Sequence, residues 1–334
     1  MRRRNASRRC VLVTSPRRIL LVGATGTIGR ATARALLARG HDVTCFARPG
    51  TPRAAVPGHA TLHTGQVTDP ASIARDAFGG ERFDAVVSCL ASRTGAPRDA
   101  WAIDHQAHEH LLAAAVTHGV SQFVLLSAIC VQKPRLAFQH AKLAFERTLM
   151  ASALDWSIVR PTAYFKSLAG QVERVRRGQP FLVFGDGTLT ACKPISDDDL
   201  ARYLTDCLDD PSRARRVLPI GGPGDAITPR EQGERLFALL QRPPRFRSVP
   251  PSLLSGIARV LGAAGTVVPP LAAKAEFARI GHYYATESML VWDAERGRYD
   301  ADATPSTGRE TLFDYYARLV RGEGAAERGE HAVF

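Results

Sequence analysis

The 334-residue chain predicts an α/β fold built on a doubly wound parallel sheet, with a smaller C-terminal lobe left to receive a substrate. Three observations carry that expectation. Short apolar runs at 18–22, 41–47, 61–67, 84–90, 122–127, 156–161 and 216–220 have the length and composition of strands buried on both faces. Helical stretches at 30–39, 102–118 and 136–151 alternate with them, which calls for parallel strands and right-handed crossovers. The first strand leads into Gly23-Ala-Thr-Gly26-Thr-Ile-Gly29 and then a helix stopped by Gly40, the strand, glycine loop and helix of a Rossmann fold.

In that loop each glycine has its own task. Gly23 permits the tight turn, Gly26 lets a diphosphate approach the backbone, and Gly29 allows the helix to pack closely. Thr25, Thr27 and Ile28 complete the expected cradle, and the helix N-terminus faces the phosphates. An acid after the second strand would hold a ribose 2′-hydroxyl, whereas Phe46-Ala47-Arg48 offers an arginine suited to a 2′-phosphate. NADPH is therefore the expected cofactor, with Arg48 at the phosphate and Arg53 as a helper. Ligands of open α/β sheets bind beyond the C-terminal strand ends, which puts Gly23, Ser88, Ser127, Pro161 and Thr162 along one rim.

The stretch 123–142 carries the catalytic signal. A nicotinamide enzyme of the short-chain dehydrogenase type ends its fifth strand with Ser and opens the next helix with Tyr-x-x-x-Lys. Ser127 and Lys142 are present here, but Phe138 stands where the phenol belongs. A carbonyl reductase needs that hydroxyl as proton donor, so carbonyl reduction is not the expected reaction.

Composition narrows the setting. Seven arginines and no acid fall in the first 18 residues, so of the +12 formal charge only +5 belongs to the remainder. The excess is a basic extension at 1–17, and nucleic acid is not the expected partner. Six scattered cysteines lack any Cys-x-x-Cys pair, and His105, His108 and His110 lack nearby partners at ligand spacing, so no metal site is expected. We read reduced thiols in a bacterial cytoplasmic protein. The apolar stretch 260–273 is too short to span a bilayer and is broken by Pro269-Pro270. Only five of the 44 basic residues are lysine, and Lys133, Lys142, Lys166 and Lys193 fall between 133 and 193. In so Arg-rich a background these mark places where a compact ammonium is useful.

With these residues in place, the chain resembles the atypical short-chain dehydrogenases, and within them the NADPH-dependent 3,8-divinyl chlorophyllide 8-vinyl reductases. The similarity covers nearly everything after residue 17. Its most specific stretches are 125–134 (Leu-Leu-Ser-Ala-Ile-Cys-Val-Gln-Lys-Pro), 138–143 (Phe-Gln-His-Ala-Lys-Leu), 157–162 (Ser-Ile-Val-Arg-Pro-Thr), 165–168 (Phe-Lys-Ser-Leu), 170–172 (Gly-Gln-Val), 191–196 (Ala-Cys-Lys-Pro-Ile-Ser) and 218–224 (Leu-Pro-Ile-Gly-Gly-Pro-Gly). Phe138 in place of the phenol belongs to that family's pattern. Tyr164 departs from it, since two phenylalanines are expected at 164–165.

The resemblance implies a planar tetrapyrrole substrate and reduction of a conjugated vinyl group. Hydride at the terminal carbon leaves charge that spreads into the macrocycle, so no oxyanion demands an immediate phenolic proton. Lys142 is then expected to fix the nicotinamide ribose, Ser127 to border the reacting group, and Tyr164 and Cys130 to be candidate proton donors. Phe138 and Phe165 are expected against the ring, and Lys133, Lys166 and Lys193 near its propionate. The expected division is an NADP-binding domain at 18–223, with 164–215 contributing to the substrate lobe, and the rest of that lobe at 224–334. Residues 252–284 are read as a helical lid or as an amphipathic surface that meets a photosynthetic membrane. Two other readings share the fold: a non-catalytic NADP(H)-sensing regulator and a phenylpropanoid-type alkene reductase.

Overall fold

The computed structural model describes residues 15–265 and 268–323, so the basic extension, through residue 14, lies outside the described residues. Arg17 does not belong to a loose tail: its guanidinium donates to the Gln122 side chain and the Leu208 carbonyl, both at 2.8 Å.

The apolar runs form strands β1 (Arg18–Val22), β2 (Asp42–Ala47), β3 (Thr61–Thr64), β4 (Ala85–Ser88), β5 (Gln122–Leu126), β6 (Asp155–Pro161), β7 (Phe181–Phe184) and β8 (Arg216–Ile220). All but β7 join one parallel sheet in the order β3-β2-β1-β4-β5-β6-β8. Successive side chains of a strand face opposite sides. Accordingly Ile19, Leu21, Val87, Val124 and Val159 enter one apolar cluster while Leu20, Val22, Val86, Phe123 and Ile158 enter another. Burial on both faces is why these strands read as continuous apolar runs. The third strand stops at Thr64 rather than Val67, and Gly65 just beyond it lies against Phe46 and Ser72 with no room for a Cβ.

Helices cover both faces: α1 (Thr27–Ala38), α2 (70–78), α3 (97–117), α4 (Ala137–Ala151) and α5 (Asp197–Asp209). Helix α5 begins with Asp197-Asp198-Asp199, which suits the positive end of a helix, and Ser196 caps it by accepting from the Asp199 N–H. It runs parallel to α1, tied by Arg34–Asp198 at 3.1 Å and Arg39–Asp206 at 2.7 Å, so both first turns lie at the same end. Beyond the sheet come α6 (Pro229–Leu239), β9 (Phe246–Val249), α7 (Pro251–Gly265), α8 (Pro269–Thr286), the hairpin β10 (Val291–Asp293) and β11 (Arg298–Asp300), and α9 (Leu312–Val320). Strands β7 and β9 pair in parallel as a separate two-stranded sheet. A further apolar cluster links Phe165, Phe181, Phe237 and Tyr316 beneath it.

Candidate active site and cofactor cradle

The glycine loop has the shape of a dinucleotide cradle. Gly23 has φ +80, and a Cβ on it would lie 2.6 Å from the Cys89 backbone. A Cβ on Gly29 would lie 2.0 Å from the Gly23 carbonyl, so α1 can begin where it does only without one. Gly26, by contrast, has one neighbour within 4 Å of its would-be Cβ, the Gly23 oxygen at 3.5 Å. It caps α1 with no side-chain hydrogen bond, which leaves the first-turn N–H groups for an anion. Thr25 offers its carbonyl to Arg30, Ile28 is buried, and the Thr27 hydroxyl accepts from Lys166 Nζ at 3.1 Å. Backbone shape and uncapped N–H groups thus fit a diphosphate.

At the end of β2, Arg48 is exposed and has no side-chain partner among the described residues. Arg53 is not a helper for it. Its guanidinium donates to the carbonyls of Val56, Pro57, Gly58 and Ala60, and so fastens the loop that follows.

The rim beyond β4 and β5 is more inward-facing than expected. Ser88 is fully buried, and its hydroxyl meets His108 Nε2 at 2.9 Å, so its side chain serves the core and not a ligand. His108 Nδ1 lies 2.9 Å from the Ile103 carbonyl, which fixes the proton on Nδ1, and burial pulls the ring's pKa down to about 4. Ser127 likewise turns inward: its hydroxyl donates to Glu146 at 2.5 Å, and Glu146 is in turn paired with Arg160. Glu146 sits on α4 one turn after Lys142, fully buried. An acid within the apolar stripe of that helix was the available signal for this network.

Lys142 emerges beside α3, where its ammonium meets Asp104 at 2.9 Å. Asp104 is buried; one carboxylate oxygen also takes the Ser92 N–H, and the other has no partner among the described residues. Asp104 thus anchors the Lys142 ammonium from the protein side. Sequence reading missed Asp104 because 38 residues separate it from Lys142.

A cavity of about 260 Å³ opens at the C-terminal ends of β5 and β6. Ala128 to Cys130 and Pro161 to Tyr164 form one wall; β7, Gln232, Tyr284 and Met289 close the others. Burial raises the Cys130 thiol and pushes Tyr164 and Tyr284 above the usual phenol range, so all three hold their protons at neutral pH. The Tyr284 hydroxyl points to the Cys130 sulfur at 3.9 Å, while the Tyr164 hydroxyl has no hydrogen-bond partner among the described residues. Tyr284 comes from α8, so part of 252–284 does close over the cavity.

Several expected substrate residues lie elsewhere. Phe165 is buried against Tyr315 in the C-terminal core, their rings 5.6 Å apart. Phe138 packs near Ile280 and the backbone of Gly95, outside the cavity wall. Lys133 is held by Glu287 at 2.7 Å and lies over the Trp292 ring, and Lys193 donates to the Thr304 carbonyl at 3.1 Å. Each of these ammonium groups already has a protein acceptor, which is why none projects into the cavity.

Known proteins place this geometry in a lineage. A family model described as NAD(P)H-binding matches residues 23–211. The divinyl chlorophyllide a 8-vinyl-reductase of Oryza sativa subsp. indica is 48% identical over 97% of this chain and 84% of its own length. The chain belongs to the divinyl chlorophyllide a 8-vinyl-reductase family. The Arabidopsis thaliana member of the 8-vinyl-reductases is 45% identical over 93% of this chain and 79% of its own length. Among solved structures, the Bordetella bronchiseptica enzyme WbmG in complex with NAD and UDP superposes with a TM-score of 0.65 at 16% identity, covering 94% of this chain and 98% of that one. That likeness extends the Rossmann architecture to this 8-vinyl-reductase family member, and shows the fold alone.

Proposed function

We infer that this chain reduces the 8-vinyl group of a divinyl chlorophyllide to ethyl with hydride from NADPH. The cavity beside the cofactor rim carries the reading. It is walled mainly by apolar side chains and backbone, and it presents Tyr164, Cys130 and Tyr284 as protonated groups. NADPH, when bound, supplies the hydride. The chain's own part is to hold the ring in register, keep water out, and give a proton to the carbon next to the one that accepts hydride. In this chain Tyr164 is assigned that proton transfer, since it lines the cavity and its hydroxyl is uncommitted, whereas Ser127 and Lys142 do not line it; where the family pattern has phenylalanine at this position, the step would fall to the groups that Cys130 and Tyr284 represent here. Lys142, with Asp104, is assigned to the nicotinamide ribose, and Arg48 to the 2′-phosphate. We divide the chain accordingly into a cofactor domain at 18–223 and a substrate lobe at 224–334, with 164–215 shared.

Incubating the protein with NADPH and divinyl chlorophyllide a should yield a pigment two hydrogens heavier by mass spectrometry; an unchanged pigment would sink this reading. Tyr164→Phe should lower the rate of the chemical step about a hundredfold, the usual scale for a positioned proton donor, with the affinity for NADPH unaltered. Arg48→Asp should weaken NADPH binding more than tenfold, or about 1.4 kcal/mol, in a fluorescence titration, with NADH little affected. Equal NADPH affinities in the two proteins would move the phosphate site elsewhere.

A bacterial setting and a peripheral place on a membrane complete the proposal. Between Glu234 and Glu276 the sequence has six cations and no acid. Over this span α7 exposes Leu253, Ile257 and Val260, which share one face. No helix among the described residues is long and apolar enough to cross a bilayer, so an anionic lipid surface fits this face better than a span. Flotation should recover the protein with vesicles rich in phosphatidylglycerol and not with phosphatidylcholine alone, and Val260→Asp should reduce recovery severalfold. Equal recovery of both proteins would remove α7 from the contact.

A further inference from the structure

Lys166 opens the segment after β6, where sequence reading set it against the substrate's propionate. Its side chain goes the other way. The ammonium reaches back across the rim to the Thr27 hydroxyl at 3.1 Å, at the first residue of α1 and beside the open face of Gly26. Asp197 stands near it at the start of α5, and the parallel pairing of α5 with α1 brings that first turn to the same end. The carboxyl is largely buried, with one oxygen lacking a hydrogen-bond partner, and burial raises its pKa to about 6 while Lys166 draws it down.

We propose that Lys166 is a cofactor residue: its ammonium binds the diphosphate of the dinucleotide above the N-terminus of α1, with Asp197 at the start of α5 as a nearby counter-charge. The inference rests on the dinucleotide reading of the glycine loop and goes beyond it. The loop supplies only neutral N–H donors, and a diphosphate carries two charges. A lysine at this point adds a charge-assisted contact without the planar fork that an arginine would have to fit beside Thr27. Because Lys166 belongs to the segment that leads from Tyr164 into the cavity wall at Ser167 and Leu168, the same contact ties cofactor occupancy to the position of the substrate wall.

The test is equilibrium binding, read by calorimetry, of NADP⁺ and of 2′-AMP, which shares the adenosine phosphate but lacks the diphosphate. Lys166→Met should weaken NADP⁺ at least tenfold and leave 2′-AMP unchanged, and Lys166→Arg, which keeps the charge but must fit its fork beside Thr27, should recover only part of the loss. Unchanged 2′-AMP binding also certifies that the variant is folded. If Lys166→Met binds NADP⁺ as the parent does and instead raises the KM for divinyl chlorophyllide, the propionate assignment stands and this inference falls. If the parent protein binds neither NADP⁺ nor 2′-AMP, the dinucleotide reading itself falls and takes this one with it.

Discussion

Lys142→Ala is expected to slow vinyl reduction at least about a hundredfold, the scale for losing the group that orients a reactant. Lys142 has a direct ion pair with Asp104 at 2.9 Å and stands outside the cavity wall, so its influence on the pigment passes through the cofactor. The variant should therefore also bind NADPH more weakly, while its affinity for pigment is retained. Phe138→Tyr, which restores the phenol of the common dehydrogenase motif, should bring no gain. Phe138 packs against the cluster that holds Ile129, Ile280 and Tyr283 and does not line the cavity, so a hydroxyl there would not face the reaction site. Single-turnover absorbance on both variants decides the matter. Near-parental rates without Lys142, or a clear acceleration in the tyrosine variant, would overturn the assigned roles.

Glu146→Leu is expected to cost the fold about 3–5 kcal/mol, because it strands the Arg160 guanidinium and leaves the Ser127 hydroxyl without its acceptor. Glu146 is fully buried on α4 and Arg160 ends β6, so the pair joins helix to sheet directly under the cavity wall. Glu146→Gln, which keeps the shape and one acceptor oxygen, should lose less. Urea unfolding followed by circular dichroism measures both. A loss below about 1 kcal/mol in the leucine variant would mean that the pair is solvated in the folded protein.

The parallel sheet was legible because its strands are buried on both faces, so composition alone marks them. The runs at 18–22 and 216–220 appear unaltered as β1 and β8, and the others shift by one to three residues at their ends. The glycine loop was legible for a different reason: steric exclusion at Gly23 and Gly29 leaves a local sequence mark. The inward-turned networks were not. Ser127 meets Glu146, Ser88 meets His108, and Lys142 meets Asp104 through tertiary approach of separate elements, and spacing along the chain says nothing of it. The lysines illustrate the same limit. Their scarcity set them apart in the sequence, but the acceptor each one reaches depends on which way a long flexible side chain turns. Helix α5 lies within 164–215, where sequence reading named no element, although three successive aspartates are favourable in the first turn of a helix.

Whether this chain reduces a conjugated vinyl group at the cavity beyond β5 and β6 is tested most directly by following the Soret band of divinyl chlorophyllide a during incubation with protein and NADPH. Loss of one vinyl group shortens the conjugated system, so the band should move to the blue in proportion to NADPH consumed, one equivalent for each pigment. A Soret band that stays in place while the pigment is bound and NADPH remains unoxidised would contradict the assignment.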